Sequence, residues 1–378
     1  MAKERKLDVA VVGAGIVGLA HALAAARMGL RVGVFERGPL AQGASIRNFG
    51  MVWPVGQPKG ALADRAFRSR AIWEDVLEDA GIPLEPVGSM HLAYHEDEMA
   101  VLEEFVSGRP DLAESIELLA PKGARERSPA VRQEGLKGAL FSSSEAIVDP
   151  REAIARLPCY LAQRYGVEFH FKHHVSHVES GRLSARGNEW SAERIYVCSG
   201  DDFESLFPES FEGSDLTRVK LQMMRTRPQP DGFRLGPAIC GGLTLIHSGA
   251  FAEVCSSLSA LKDRYRDEMP FYPEMGIQVM VSQNPSGELV IGDSHEYGDP
   301  LSPFDRDDIN NAILDYLRRM AQVPDIAIAE TWHGVYCKSP GKSEWIEKPV
   351  DGVTIVTGLS GAGMTLSFGL AEEVVGQN

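Results

Sequence analysis

The chain has 378 residues, 44% apolar and 24% charged, a length and composition that predict two folded domains and exclude extended disorder. A formal net charge of −15 excludes a nucleic-acid backbone as partner, because such affinity rests on Lys and Arg neutralising phosphates. No apolar run nears the roughly 18 residues of a spanning helix, and the five cysteines, Cys159, Cys198, Cys240, Cys255 and Cys337, have no metal or disulfide spacing, so a cytoplasmic, reducing location is expected.

The N-terminal segment "LDVAVVGAGIVGLAHALAAARMGLRVGVFER" predicts a strand over 7–12, a helix over 16–28 and a strand over 31–35 ending at Glu36. In this βαβ unit Gly13 permits the tight turn, Gly15 lets the backbone approach a pyrophosphate, and Gly18 lets helix and strand pack closely. The helix N-terminus offers N–H groups to phosphates, and Glu36 can accept from ribose hydroxyls. The motif leaves NAD and FAD both open. The following stretch, "RGPLAQGASIRNFGMVWPVGQP", is irregular and rich in small residues, and can run along an extended cofactor. Ser45 would lie near the phosphates and Arg47, Asn48, Gly50 and Met51 nearer a redox ring.

Further along, Asp149 and Pro150 predict a capped helix start, with a kink at Pro158. Strands are expected over 167–171, 175–179 and 194–198. The histidines of "HFKHHVSH" (His170, His173, His174, His177) fall on opposite strand faces without a carboxylate or thiolate at ligand spacing, so no metal is expected and a solvated surface is. "GDSHEYGDPLSPFDRDD" faintly echoes a flavin-hydroxylase GD motif but has no glycine over 302–308, and is discounted.

Near the C-terminus, "DGVTIVTGLSGAGMTLSFGLAEEVV" predicts a second strand over 353–356, a loop with Gly358, Gly361 and Gly363, and a helix over 364–375. A helix N-terminus suits the negative charge that a reduced flavin accumulates, a demand nicotinamide lacks, so FAD is favoured.

These segments, with "GASIRNFGM", "VDPREAIARL", "RIYVCSG" closing on Gly200, "VSQNPSGELVIGDS" and "GLSGAGMTLSFGLAE", resemble the FAD-dependent D-amino-acid oxidase superfamily, in its glycine-oxidase and sarcosine-oxidase branch. The resemblance implies an α/β fold in which a Rossmann-like FAD-binding domain (1–81, 146–215 and 331–378) is interleaved with an α+β substrate domain (82–145 and 216–330). That second domain is a twisted, mostly antiparallel sheet roofing the flavin. Cofactor contacts implied are Gly13, Gly15, Gly18, Glu36, Arg37, Ser45, Arg47, Asn48, Gly50, Met51, Val175 on the adenine side, Gly200 beside the phosphates, and Gly361, Gly363, Met364 and Thr365. One departure is "GDDFES" from Gly200, where relatives carry an aromatic residue just after the glycine.

A second departure lies in "ETWHGVYCKSPGKS" (330–343). Relatives that oxidise α-amino acids have W-x-G-x-R-P here, the arginine clamping the substrate carboxylate. Trp332 and Gly334 match, but Tyr336 stands at the arginine position and cannot neutralise a carboxylate. "SIRNFGMVWPVGQ" is similar to a subgroup proposed to act on aminophosphonates, whose phosphonate would need donors such as Arg47, Lys338, Arg225 or His247. Sarcosine oxidases attach flavin through a cysteine near this point; Cys337 is one residue out of register and is expected to be a buried filler. The expected function is FAD-dependent oxidation of a small amine, with Tyr336, Trp332, Met51, Lys338 and His247 about the substrate and oxygen or another acceptor taking the electrons. Alternatives are a glycine, sarcosine or D-amino-acid oxidase or dehydrogenase, a flavin hydroxylase, and a non-catalytic flavoprotein. Oligomeric state is left open.

Overall fold

The apolar run that precedes the first glycines forms the strand Arg5–Val12, and every residue described from Leu7 to Val12 except Asp8 is buried. In the computed structural model, which describes residues 5–377, this strand pairs in parallel with Val32–Glu36 and Asn188–Val197 at the centre of an eight-stranded sheet. Glu168–Phe171 continues the parallel set beyond Val32–Glu36, and Val353–Thr357 joins Asn188–Val197 on its other side. Val32–Glu36 and Val353–Thr357 are buried along their whole length, the pattern of parallel strands covered on both faces.

Three helices pack in sequence against one face. Ile16–Arg27 lies beside the C-terminal helix Gly363–Gly376, which in turn lies against Ala61–Ala80. The last contact is close because Gly369 has no side chain: a Cβ there would come within 2.7 Å of the Arg65 carbonyl. The helix Pro150–Tyr165 starts as expected, the Asp149 carboxylate accepting from the Arg151 N–H at 2.9 Å. It runs on through Pro158, where a kink is expected, its face of Ala153, Ile154, Leu157, Pro158 and Leu161 buried on both sides of the proline.

The second sheet has nine strands and is antiparallel except for the pair Ala238–Cys240 and Ser89–Ala93. Its longest members are Thr217–Pro228 and Ile328–Lys338, paired antiparallel with Tyr336 opposite Val219 and Trp332 opposite Met223. The strand Ile328–Lys338 thus crosses residue 331, where the sequence division returns the chain to the cofactor domain, and all of it lies in the second sheet. A small third sheet, Met51–Val52, Ala146–Val148 and Leu84–Glu85, lies where the chain passes between the two large ones. The histidine-rich segment is solvated at His174 and His177 as expected, but His170 is half-buried, stacked on Phe35 at 4.8 Å and tilted against Trp190 at 4.4 Å. Among the described residues no group of three metal-ligand side chains converges, and no helix is long and apolar enough to cross a membrane.

Candidate active site

The glycines of the N-terminal junction divide by what surrounds them. Gly13 has φ +99°, and a Cβ there would meet the Cys198 carbonyl at 2.4 Å. At Gly18 it would meet the Gly13 carbonyl at 2.0 Å, so both positions are dictated by backbone packing. Gly15 differs. A Cβ there would meet only Ser45 Oγ, at 3.0 Å, so the fold itself leaves space over the helix N-terminus. Ser45 Oγ accepts from the Ile16 N–H at 2.9 Å and is thereby held beside that space.

Glu36 is buried, its two carboxylate oxygens accepting from the backbone N–H of Ala14 at 3.1 Å and of Gly38 at 2.8 Å. A carboxylate has about four lone-pair sites, so acceptor capacity for hydroxyls remains. Arg37 pairs with Asp202 at 2.9 Å, in the segment where the aromatic residue of relatives is lacking. Gly200 has no atom within 4 Å of its Cβ direction, and Val175 is buried in the strand Val175–Glu179. An acidic acceptor, a side-chain-free approach at Gly15 and open space at Gly200 are an acceptor and a cradle that fit an adenine dinucleotide.

Other residues expected at the cofactor are engaged with the protein. Asn48 closes its own turn, donating to the carbonyls of Ala44 and Ser45 at 3.0 Å and accepting from the Gly50 N–H at 2.8 Å. Gly50 is required by the Val148 carbonyl, 1.8 Å from where a Cβ would sit. Thr365 Oγ1 accepts from the Trp53 N–H at 2.9 Å, and the Met364 carbonyl accepts from Trp73 Nε1 at 2.7 Å. Gly363 opens the C-terminal helix against Ile16 of the first helix, bringing the two helix N-termini together.

The second sheet supplies the roof. Residues 332, 334, 336 and 338 share one face of their strand. Trp332 and Tyr336 join Met51 and Met280 around a buried cluster of Phe49, Leu221, Met223 and Val290. Tyr336 reaches the C-terminal loop, its hydroxyl 3.4 Å from the Cβ position of Gly361, which has φ +85°. Burial pushes that phenol well above its ordinary range, so it stays protonated and can donate. The 45–51 and 330–338 segments dock directly: Trp332 Nε1 donates to the Arg47 carbonyl at 3.3 Å and Arg47 donates to the His333 carbonyl at 3.2 Å. A Cβ at Gly334 would come within 3.2 Å of the same Arg47 carbonyl, a close approach that favours the glycine of the W-x-G pattern.

The four cationic candidates are not equivalent. Arg225 is ion-paired with Glu330 and, at 3.6 Å, with Glu288. Arg47 braces the strand and borders a cleft of about 590 Å³ lined also by Arg151, Arg225, Asp305, Glu330 and Trp332. His247 is held down to about 4 by desolvation and by His295, Lys262 and Lys338, and is neutral near pH 7 although part of its surface meets solvent. Lys338 is left. It donates to the Tyr297 hydroxyl at 3.0 Å, lies 5.1 Å from that ring, and forms no ion pair among the described residues. Cys337 is buried on the opposite strand face with its thiol pushed up to about 11, and its sulfur points away from the Tyr336 side.

The segment "GDSHEY", discounted in the sequence as an echo of a flavin-hydroxylase motif, supplies side chains here. It places Asp293, His295 and Tyr297 at the same end of the roof: His295 Nε2 is 3.9 Å from Asp293 Oδ2, and its ring is 6.4 Å from both Tyr336 and His247. Burial raises Asp293 to about 6, with His295 opposing. The available signal was an acidic residue closing a strand, with two ring-bearing residues at alternate positions after it.

Comparison with known proteins agrees with this architecture. Residues 8–377 match the family DAO, FAD dependent oxidoreductase, and the chain belongs to it. It is 28% identical over 207 residues to the glycine oxidase of Geobacillus kaustophilus (strain HTA426), covering 52% of this chain and 55% of that protein. The chain thus spans about half the length of the curated relatives it matches. Among solved structures, L-proline dehydrogenase from P. horikoshii superposes with a TM-score of 0.79 at 17% identity, covering 99% of this chain and 94% of that one. Iminodiacetate oxidase from Chelativorans sp. BNC1 does so with a TM-score of 0.74 at 20% identity, covering 98% and 95%. At such identities these likenesses show the fold, and FAD is the cofactor of the family.

Proposed function

We propose that the protein is an FAD-dependent amine oxidoreductase whose substrate carries a phosphonate, 2-aminoethylphosphonate or its N-methyl derivative, in place of an α-carboxylate. The observation that carries this is Tyr336 beside the C-terminal glycine loop, with Lys338 two residues along the same strand face and no arginine between them. When bound, FAD supplies the two-electron oxidation, taking a hydride from the carbon next to nitrogen. Gly15 and Ser45 would receive its phosphates, Glu36 its ribose, Gly200 the bridge between its halves, and Gly361 to Thr365 its redox ring.

The chain's own residues position the amine. Met51 and Trp332 wall the pocket and exclude water, while Tyr336 donates one hydrogen bond without carrying charge. Lys338 would meet the dianion, as a mobile point charge suits a three-oxygen acceptor. The hydride leaves from the neutral amine, so a substrate bound as its ammonium form first gives one proton to water or to a neighbouring carboxylate; orientation over the redox ring is then the main requirement. The imine formed then takes up water to give an aldehyde and ammonia or a primary amine. Electrons pass on to oxygen or another acceptor, in the cytoplasm. An α-amino acid substrate, favoured by the resemblance to a glycine oxidase, is opposed by Tyr336. Product analysis decides between them: 2-oxoethylphosphonate with ammonia, or with methylamine from the N-methyl compound, is expected. Glyoxylate from glycine or sarcosine as the main product overturns the phosphonate assignment.

A further inference from the structure

Two carboxylates deep in the roof sheet contrast. Glu145 is fully buried, and its oxygens accept from the Val55 N–H at 3.0 Å and from Ser89 Oγ at 2.9 Å, as a structural acid should. Asp293 is also buried, its backbone paired with Gln278 in both directions, yet its Oδ1 has no hydrogen-bond partner among the described residues. An unpartnered buried carboxylate oxygen is costly to folding, and such a group persists where something outside the chain supplies the partner. It stands in the cluster of His247, His295, Tyr297, Tyr336 and Lys338, at the end of the roof where Tyr336 meets the C-terminal glycine loop. Among these, Tyr336 senses its charge, and Lys338 is the cation available for an anionic group.

We infer that Asp293 is the amine-recognition residue of the site, its unpartnered oxygen accepting a hydrogen bond from the substrate's protonated nitrogen and so selecting a cationic amine over a neutral isostere. Lys338 and Asp293 then give the pocket an anion-seeking and a cation-seeking end, with Tyr336 between them. This rests on the amine-oxidation reading but not on the phosphonate, since any protonated amine would meet the same oxygen.

The test is equilibrium binding to the holoenzyme, reduced with dithionite under anaerobic conditions so that the amine is not consumed, measured by calorimetry. Two pairs are compared, each an amine and its carbon isostere: 2-aminoethylphosphonate with propylphosphonate, and sarcosine with butanoate. Wild-type protein should prefer the amine by about tenfold or more in at least one pair, as a charged hydrogen bond to a buried group implies. Asp293→Asn should abolish that preference while leaving the isostere's affinity within about twofold, and Asp293→Glu should restore part of it. If Asp293→Asn does not fold, wild-type protein still reports. Its preference should fade as pH drops from 7 to 5, because Asp293 titrates at about 6. That loss should survive in His295→Asn, which removes the imidazole beside it; Tyr336, Tyr297, Lys338, His247 and Cys240 are the other ionisable side chains around it. Asp293→Asn that keeps the preference, that weakens both members of a pair alike, or wild-type protein with no preference in either pair overturns the inference. Failure of the phosphonate reading alone would appear differently, as preference confined to the sarcosine pair.

Discussion

The floor and the roof of the candidate site are built from different material. On the floor, close approaches run backbone to backbone: Gly18 against the Gly13 carbonyl, Gly13 against the Cys198 carbonyl. In the roof they run through side chains from three stretches of sequence, Arg47 to Met51, Asp293 to Tyr297 and Trp332 to Lys338. A backbone cradle holds a cofactor common to a whole family and tolerates little change. A roof of side chains can be given a new substrate by exchanging one residue, and Tyr336 at the position of arginine is the exchange on which the proposed function rests.

The largest effects should fall on the floor, where the glycines separate into folding and binding positions. Gly18→Ala places a methyl group 2.0 Å from a backbone oxygen and should abolish the cooperative thermal transition seen by circular dichroism. Gly15→Val should keep that transition yet carry less than about a tenth of the wild-type flavin per chain, since the side chain fills space the protein leaves open. Equal flavin content in the valine variant would contradict the division.

In the roof, Tyr336→Arg should improve kcat/KM for glycine or sarcosine relative to 2-aminoethylphosphonate by about tenfold to a hundredfold, the worth of a bidentate charged contact. Lys338→Met should raise KM for the phosphonate about tenfold without changing flavin content. A lysine that only packs on Tyr297 would leave KM alone.

A smaller effect returns to the floor. Glu36→Ala strands the N–H groups of Ala14 and Gly38 and should weaken FAD binding by about tenfold, read from flavin retained on dilution.

The smallest effect should be common to both regions. His21 on the floor and His91 in the roof are buried and held to about 4, against 6.5 when unfolded, by desolvation. Between those values the unfolded chain binds more protons, so stability should fall as pH drops from about 6.5 toward 4. His91→Leu should flatten that fall by about 1 kcal/mol over the first pH unit below 6.5, as seen in the pH dependence of the denaturation midpoint.

Much of the floor was legible in the sequence because its constraints are local. The spacing of Gly13, Gly15 and Gly18, the helix behind them and Glu36 lie within one βαβ unit, and the helix Ile16–Arg27 ends within a residue of expectation. Asp149 as a cap was legible for the same reason. The roof was legible only where it resembles a known pattern, at Trp332, Gly334 and Tyr336. Asp293 and His295 were not assigned to the site because the local signal in "GDSHEY" is weak: their meaning comes from facing Tyr336, which lies in another strand of the sheet. Asn48 and Thr365, expected at the cofactor, spend their side chains on turns and on Trp53, bonds that residue type alone does not reveal.

Anaerobic mixing of the FAD-loaded protein with equal concentrations of candidate amines, followed by the visible flavin absorbance, tests the central claim most directly. Loss of absorbance with 2-aminoethylphosphonate or its N-methyl derivative should be at least about tenfold faster than with glycine, sarcosine or D-alanine, because Lys338 can meet a phosphonate while Tyr336 cannot clamp a carboxylate. Rapid loss with sarcosine or D-alanine and none with the aminophosphonates would contradict the substrate assignment, and absorbance unchanged by every amine would contradict amine oxidation itself.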